Sequence, residues 1–325
     1  MEEIINAPTP TASRPVAAER TVSKRLDVPF TVLNLASTAA AVILPFYFWS
    51  VSSIIAFFVF YTLTGLGLTM GYHRLFAHHA YVVPKWLEYT IALFGYLAIQ
   101  RGPIFWSAMH RMHHKYTDVP GKDPHSPKEG LWHVHFGWIQ MRRSDIWTQE
   151  VYKKQAPDLY KDPFYRWLDH ERHDYIVNFV IIGIAYGIGG LVGAAGPFDT
   201  HNALCWLVWV GLLNRVALLQ AFALINSLCH MWGSSPYRSK TDRTSTNNLL
   251  VALLIFGEGW HNNHHAFPKS ARHGLRWFQV DVAWYTIWLL KTVGLAKNVS
   301  LPDKQQVKER QKKSKAFKAA MAQEH

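Results

Sequence analysis

Only two of the 325 residues are cysteine, Cys205 and Cys229, and both stand among apolar neighbours. A disulfide scaffold and a cysteine-rich zinc module are thereby excluded. Charge is sparse too, with Asp, Glu, Lys and Arg at 17% against roughly 25% in soluble domains. Residues 1–26 lack the apolar segment of a secretory signal and carry Pro, Ala, Thr and mixed charge, so a loose cytoplasmic arm is expected to about residue 28. Aromatic residues, by contrast, reach 14%, with 14 Trp among them, as in proteins that meet lipid. Thirty-four basic against 22 acidic residues leave a net charge of +12, which suits an anionic membrane surface, an acidic protein partner or nucleic acid.

The placement of charge decides among these. No Lys or Arg lies between Arg25 and Arg74, or between Arg172 and Arg215, and each gap holds two apolar runs. Residues 30–49 and 51–70 form the first pair, 175–195 and 203–228 the second. Each is close to the roughly 20 residues a helix needs to cross about 30 Å of hydrocarbon. Trp49 and Ser50 separate the first pair, and a breaker-rich stretch from Gly196 to Asn202 the second. Four spans in two hairpins follow. The turns carry no Lys or Arg, so both termini and the middle segment are expected on the cytoplasmic side. Asn214 and Arg215, inside the fourth run, need a protein or polar surface to face. A tail from residue 301 carries Lys304, Lys308, Arg310, Lys312, Lys313, Lys315 and Lys318 and reads as solvated or membrane-surface chain. No nucleic-acid partner is expected, and no internal repeat is present.

Eighteen histidines remain, nine of them in three groups: His73, His78 and His79; His110, His113 and His114; His261, His264 and His265. On a helix, i, i+3 and i+4 share a face, so each of the last two groups presents three imidazoles to one point. His73 and His78, five apart, stand about 140° apart on an α-helix of 3.6 residues per turn. They therefore either address two metal ions or straddle a helix end. Asn226 and His230, at i and i+4 where the fourth run ends, add a weaker signal. About eight converging ligands exceed one four-coordinate site and argue for two metals, and neutral imidazole suits Zn, Cu, Fe or Ni. The scattered His125, His133, His135, His170, His173, His201, His273 and His325 read as structural. Asp123 and Glu258 are candidates to orient imidazole N–H groups or are ordinary structural carboxylates, and Arg74 and Arg111 either bind a lipid phosphate or, the favoured reading, pair with carboxylates.

Taken together, His73-Arg-Leu-Phe-Ala-His78, His110-Arg-Met-His113-His114 and Gly257-Glu-Gly-Trp-His261-Asn-Asn-His264-His265, in this order around two hairpins, resemble the membrane fatty acyl desaturases with three histidine boxes. The resemblance runs from about Thr31 to Val299. Gly257 to Pro268 and Ser270 to Gly274 are most similar to the bacterial and cyanobacterial delta-9 acyl-lipid desaturases. It implies an all-α integral membrane protein whose four spans carry a helical cytoplasmic cap, in a plasma or thylakoid membrane if bacterial. It also implies two iron ions held by His73, His78, His110, His113, His114, His230, His261, His264 and His265, with Asn226 reaching one iron through water. His79 is left outside this set. Gln100 and Trp106 are similar in placement to residues at the bend of the acyl tunnel of animal relatives, and Tyr61 and Gly65 to residues that close its far end.

The activity so implied is O₂-dependent insertion of a cis double bond, at delta-9, into a saturated acyl chain of about sixteen to eighteen carbons. Ala108-Met109 stands where acyl-CoA enzymes of animals have Arg-Asp, which favours a glycerolipid-borne chain over acyl-CoA. A cytochrome b5 motif, His-Pro-Gly-Gly, is not found, so the electron donor is expected to be a separate protein, ferredoxin rather than cytochrome b5. Two alternatives are carried: a histidine-box di-iron hydroxylase, and a non-enzymatic membrane metal-handling protein.

Overall fold

The structure, a computed structural model, describes residues 24–98, 100–193, 196–237 and 244–323. It is mostly helical. Strand β1 (Lys24–Leu26) pairs antiparallel with β2 (Met141–Arg143), so the last residues of the expected arm are tied to the middle segment. The remainder of that arm, residues 1–23, lies outside the described residues.

The helices begin where the sequence supplies a cap. Asp27 accepts the Phe30 N–H at 3.3 Å to start α1 (Val28–Ile43), and a 3₁₀ turn carries the chain to Phe46. Ser50 and Ser53 cap each other's backbone at the start of α2 (Val51–Ala77). The expected first turn is thus found at residues 47–50. Helix α3 (Lys85–Tyr96) and α4 (Pro103–Tyr116) follow, then short helices between residues 149 and 168. Helix α5 (Glu171–Val192) precedes α6 (Thr200–His230), which Asp199 caps through the Asn202 N–H. The C-terminal part holds α7 (Leu249–Leu254), α8 (His261–Ala266), α9 (Val282–Thr292) and α10 (Lys304–Gln323), the last on the basic tail.

Among the described residues three helical stretches are long and apolar enough to cross a membrane: Val28–Phe46, Val51–Ala77 and Thr200–His230. The expected span 175–195 corresponds to α5, whose apolar stretch among the described residues is the shorter Phe179–Val192. The helices also outrun their apolar stretches. Helix α2 continues from Met70 to Ala77 and α6 reaches back to Thr200 and on to His230. At the α2 end protein replaces lipid: every residue of Gly67–Ala77 is buried. At about 1.5 Å per residue, the 27 residues of α2 exceed a bilayer core of about 30 Å, and His73 sits on the excess.

Side-chain ties hold the helix tips in register. Asn202 Oδ1 accepts from Ser50 Oγ at 2.6 Å and Ser52 Oγ at 2.9 Å, and Trp209 Nε1 donates to Phe48 O at 2.8 Å. Asn214 is fully buried, its Oδ1 3.5 Å from Thr64 Oγ1, so it faces protein as required. Helices α2 and α3 meet backbone to backbone, because a Cβ on Gly67 would lie 2.2 Å from the Gly95 amide nitrogen. Gly67→Ala is expected to lower stability by about 1–3 kcal/mol, the usual cost of overpacking. Gly187→Ala on α5, where a Cβ meets nothing within 4 Å, should be neutral; thermal unfolding of both variants in detergent checks the contrast.

Candidate metal centre

Four elements aim imidazoles at one place. His73 lies on the buried end of α2, His78 just beyond it, His110, His113 and His114 on α4, His230 on the last turn of α6, and His261, His264 and His265 on α8. Their ring nitrogens fall into two groups: His73, His78, His110, His114 and His264 in one, and His113, His230, His261 and His265 in the other. All nine expected ligand histidines are thereby brought together, but the expectation that each box on α4 and α8 presents three rings to one point does not hold: His113 parts from His110 and His114, and His264 from His261 and His265, because the i+3 ring lies to one side of the helix face.

The spacing of five between His73 and His78 follows the second of the two expectations, with both in one group. Gly67–Ala77 is π-helical, and the His78 N–H donates to the His73 carbonyl at 3.2 Å, an i→i+5 bond. The 140° separation holds only for a regular α-helix. Tyr81 donates to the Met70 carbonyl at 2.8 Å, and Arg111 to those of Phe76 and Ala77 at 2.6 and 3.0 Å, so side chains occupy these carbonyls. Arg111 also pairs with Asp158 at 2.6 Å. His79, at positive φ and exposed, contacts Asp158 at 3.3 Å, outside both groups.

The distances within the groups fit metal coordination. His264 Nε2 lies 2.9 Å from His73 Nε2 and 2.8 Å from His114 Nε2, and His78 Nε2 2.8 Å from His110 Nε2. One proton on His264 Nε2 can serve only one of its two neighbours, so hydrogen bonds cannot satisfy the set, whereas a cation can. A metal–nitrogen bond of about 2.1 Å puts adjacent ligands about 3.0 Å apart on an octahedron and about 3.4 Å on a tetrahedron. The group of five has the shorter spacing. In the second group, His230 and His261 are 3.0 Å apart and His113 and His265 3.3 Å.

The opposite ring edges are fixed by acceptors. His73 Nδ1 is 2.5 Å from Glu258 Oε2 and His113 Nδ1 3.0 Å from Asp123 Oδ1, so an ionised carboxylate keeps each proton on Nδ1 and directs the Nε2 lone pair toward the neighbouring rings, as metal binding needs. Thr244 donates to Asp118 at 2.9 Å and so accepts from His230 Nδ1 at 2.8 Å. Burial pushes Glu258 up, but His73, His273 and Arg74 outweigh it and hold this carboxyl well below its ordinary value. Asp123 is likewise held low: burial opposes ionisation, and His113 and His125 overcome it. Burial first, then neighbouring imidazoles, depresses His110, His114, His264 and His265 far below the ordinary histidine value. Neutral rings are what metal binding needs.

Arg74 shows why this part of the chain is rigid. Fully buried, it contacts Glu258 Oε1 at 3.1 Å, Asp281 Oδ1 at 2.9 Å and the Ala271 carbonyl at 2.8 Å. It pairs with carboxylates, the reading favoured from sequence, and Asp281 is a partner that sequence reasoning did not name. Gly257, at φ +108°, lets the backbone pass where a Cβ would come 2.4 Å from Asp281 Oδ1.

A cavity with about 640 Å³ of empty space, part of it open to solvent, adjoins the histidines. Gln100, Trp106, His110, His125, Phe222 and Asn226 are among its lining. Trp106 stacks on His110 with ring centroids 5.0 Å apart. Tyr61 and Gly65 are not in that lining; they pack on Phe256, with Tyr61 Oη donating to Leu254 O at 3.1 Å. Among the histidines read as structural, His135 bridges Ser227 and Gln220 at 2.9 and 3.0 Å, while His125 and His273 lie directly behind ligand rings. His325 is outside the described residues.

Residues 47–288 match the family described as "Fatty acid desaturase". The chain is 39% identical to the sn-2 palmitoyl-lipid 9-desaturase of Nostoc sp. over 87% of its length and 94% of the relative's. It is 41% identical to Delta-9 acyl-lipid desaturase 2 of Arabidopsis thaliana, covering 87% and 84%, and 38% identical to the icosanoyl-CoA 5-desaturase of Limnanthes douglasii, covering 89% and 76%. The chain belongs to the fatty acid desaturase family. It is an oxidoreductase that acts on fatty acyl chains by desaturation.

Two outcomes test this geometry. Glu258→Gln removes the carboxylate that accepts from His73 Nδ1 and one of the two that pair with buried Arg74, which keeps Asp281 at 2.9 Å; a cost of about 1–3 kcal/mol is expected, read by thermal unfolding. The depressed imidazoles give a pH dependence of known sign. In metal-free protein the unfolded chain takes up protons first, so stability is complete above about pH 6.5 and is lost as pH falls toward the lower folded values. A melting temperature that rises on acidification contradicts this.

Proposed function

We propose that this chain introduces a cis double bond between C9 and C10 of a saturated acyl chain of sixteen to eighteen carbons carried on a glycerolipid. The juxtaposition of the two imidazole groups with the cavity lined by Gln100, Trp106 and Asn226 supports this reading most directly. The names of the Nostoc and Arabidopsis relatives favour delta-9 and a lipid-borne chain over acyl-CoA.

In this reading the five-histidine group and the four-histidine group would each hold one iron, with Asn226 reaching one of them through water. Two irons, once bound and reduced, supply with O₂ the oxidising power to remove hydrogen from unactivated methylenes, which no side chain has. The protein's part is placement. Trp106 and His110 would set the methylenes beside the centre, and Gln100 would turn the chain. A closed end at Tyr61 and Gly65 would fix which carbons stop there, since regioselectivity in a fixed slot is a matter of distance. Glu258 and Asp123 would keep His73 and His113 oriented, and the aromatic walls would keep water out.

Residues 29–300 would form one membrane domain of four spans in two hairpins, with the site and both termini cytoplasmic, an N-terminal arm over 1–28 and a basic tail over 301–325. Two electrons arrive from an external protein. A ferredoxin would suit a basic cytoplasmic face that includes Arg142, Lys153 and Lys154; Arg143, expected there too, is buried and pairs with Asp145 at 2.6 Å.

Expression in a host that makes no monoenes, followed by gas chromatography of acyl chains by lipid class with double-bond localisation, tests the proposal. The expected product is a cis-9 monoene in glycerolipids; hydroxylated chains without a monoene would favour the hydroxylase. His264→Ala should abolish the product and lower the iron content, and full retention of both contradicts the assignment.

A further inference from the structure

Two histidines outside the nine repeat one arrangement at both groups. His273, 1% exposed, places Nδ1 3.5 Å from the same Glu258 oxygen that accepts from His73, and its ring lies 4.5 Å from that of His264 and 5.2 Å from that of His73. His125, also buried, places Nδ1 3.9 Å from the Asp123 oxygen that faces His113, with the two rings 4.3 Å apart. Neither belongs to the converging sets of five and four. The two trios, His73–Glu258–His273 and His113–Asp123–His125, come from unrelated segments of the chain.

Each trio could in principle hold a metal of its own, since its ligand atoms lie within 4.8 Å of one another. The neighbours argue otherwise. The Arg74 guanidinium is already fixed 3.1 Å from Glu258, a positive charge where a cation would sit. Asp123 is occupied by the backbone N–H groups of Asp118 and His125 at 3.1 and 3.2 Å. Both carboxylates are therefore committed to N–H donors. The backbone around His273 is pinned as well: its N–H donates to Asp281 at 2.7 Å and its carbonyl accepts from Asn263 at 2.8 Å.

We infer that His273 and His125 are positioning residues. Each stands behind the carboxylate that takes the Nδ1–H of a ligand histidine and keeps it turned toward His73 or His113, so that Nε2 stays aimed at the metal. At 3.5 and 3.9 Å their own contacts are too long for full hydrogen bonds, so they act through the Nδ1 dipole and by filling space that water would take. His125 has a further consequence, because it also lines the cavity and stands next to Trp138. It therefore joins the cavity wall to the four-histidine group.

The inference rests on the di-iron reading, and the experiment separates the two. Iron content after dialysis against a chelator, and the Mössbauer spectrum of ⁵⁷Fe-loaded protein, are measured for wild type, His273→Phe, His125→Phe and the two Asn variants. Phe keeps a ring of similar size without nitrogen, and Asn keeps a donor near the position of Nδ1. Outer partners of metal ligands typically contribute about 10–100-fold in metal affinity, so each Phe variant should lose iron at least about tenfold more readily. His273→Phe should alter the signal of one iron and His125→Phe that of the other, with the Asn variants restoring most of the retention. Two irons in wild type with unchanged retention in both Phe variants, or Asn variants no better than Phe, overturn the inference alone. Fewer than two irons in wild type overturns the di-iron reading and the inference with it.

Discussion

Nine imidazoles must be held close together, and most of the surrounding architecture follows from that constraint. Ring nitrogens 2.8–3.3 Å apart repel one another through their lone pairs, and protonation of several would be worse in a site of low polarity. A cation at each focus turns this repulsion into attraction. The free chain must still keep the rings in place beforehand, and it does so from their outer edges through Glu258, Asp123 and Thr244.

That support reaches deep into the fold. Arg74 links Glu258 to Asp281; Asp281 caps α9 through the Trp284 N–H and accepts from the backbone of His273 and Gly274. Box one, box three and the loop after it therefore form a single charged unit. A buried Arg between two carboxylates is weak evidence of net stability, because desolvation offsets much of the attraction. Its effect is geometric: the ligand rings have few alternative orientations. The π-helical end of α2 works in the same direction, since its i→i+5 backbone bond is what brings His73 and His78 into one group.

Much of this was legible in sequence. The gaps in Lys and Arg located the breaks between apolar helices, because helix caps such as Ser50 and Asp199 fall within them. The i, i+3, i+4 spacing marked the faces of α4 and α8 that converge, though not the division of each between two groups, and Asn226 with His230 marked the end of α6. Other features left no local trace. A π-helix has no distinct residue pattern, so α-helical arithmetic left the relation of His73 to His78 open. The apolar stretch of α5 is shorter than its expected span among the described residues. His273 and His125 looked like isolated histidines because their partners, Glu258 and Asp123, gain that meaning only from the His73 and His113 they touch. Tyr61 and Gly65 lie against Phe256, a contact between segments almost 200 residues apart.

The sequence by itself determined which residue types could bind metal, which runs were apolar enough for lipid, and which family the chain resembles, because these depend on composition and on spacing within one helix. Tertiary structure alone decided the division of nine histidines into five and four. It also decided the pairing of Arg74 with both Glu258 and Asp281, and the placing of a cavity beside His110. Those depend on distances between remote segments, which are set by how α2, α4, α6 and α8 pack and not by any spacing along the chain.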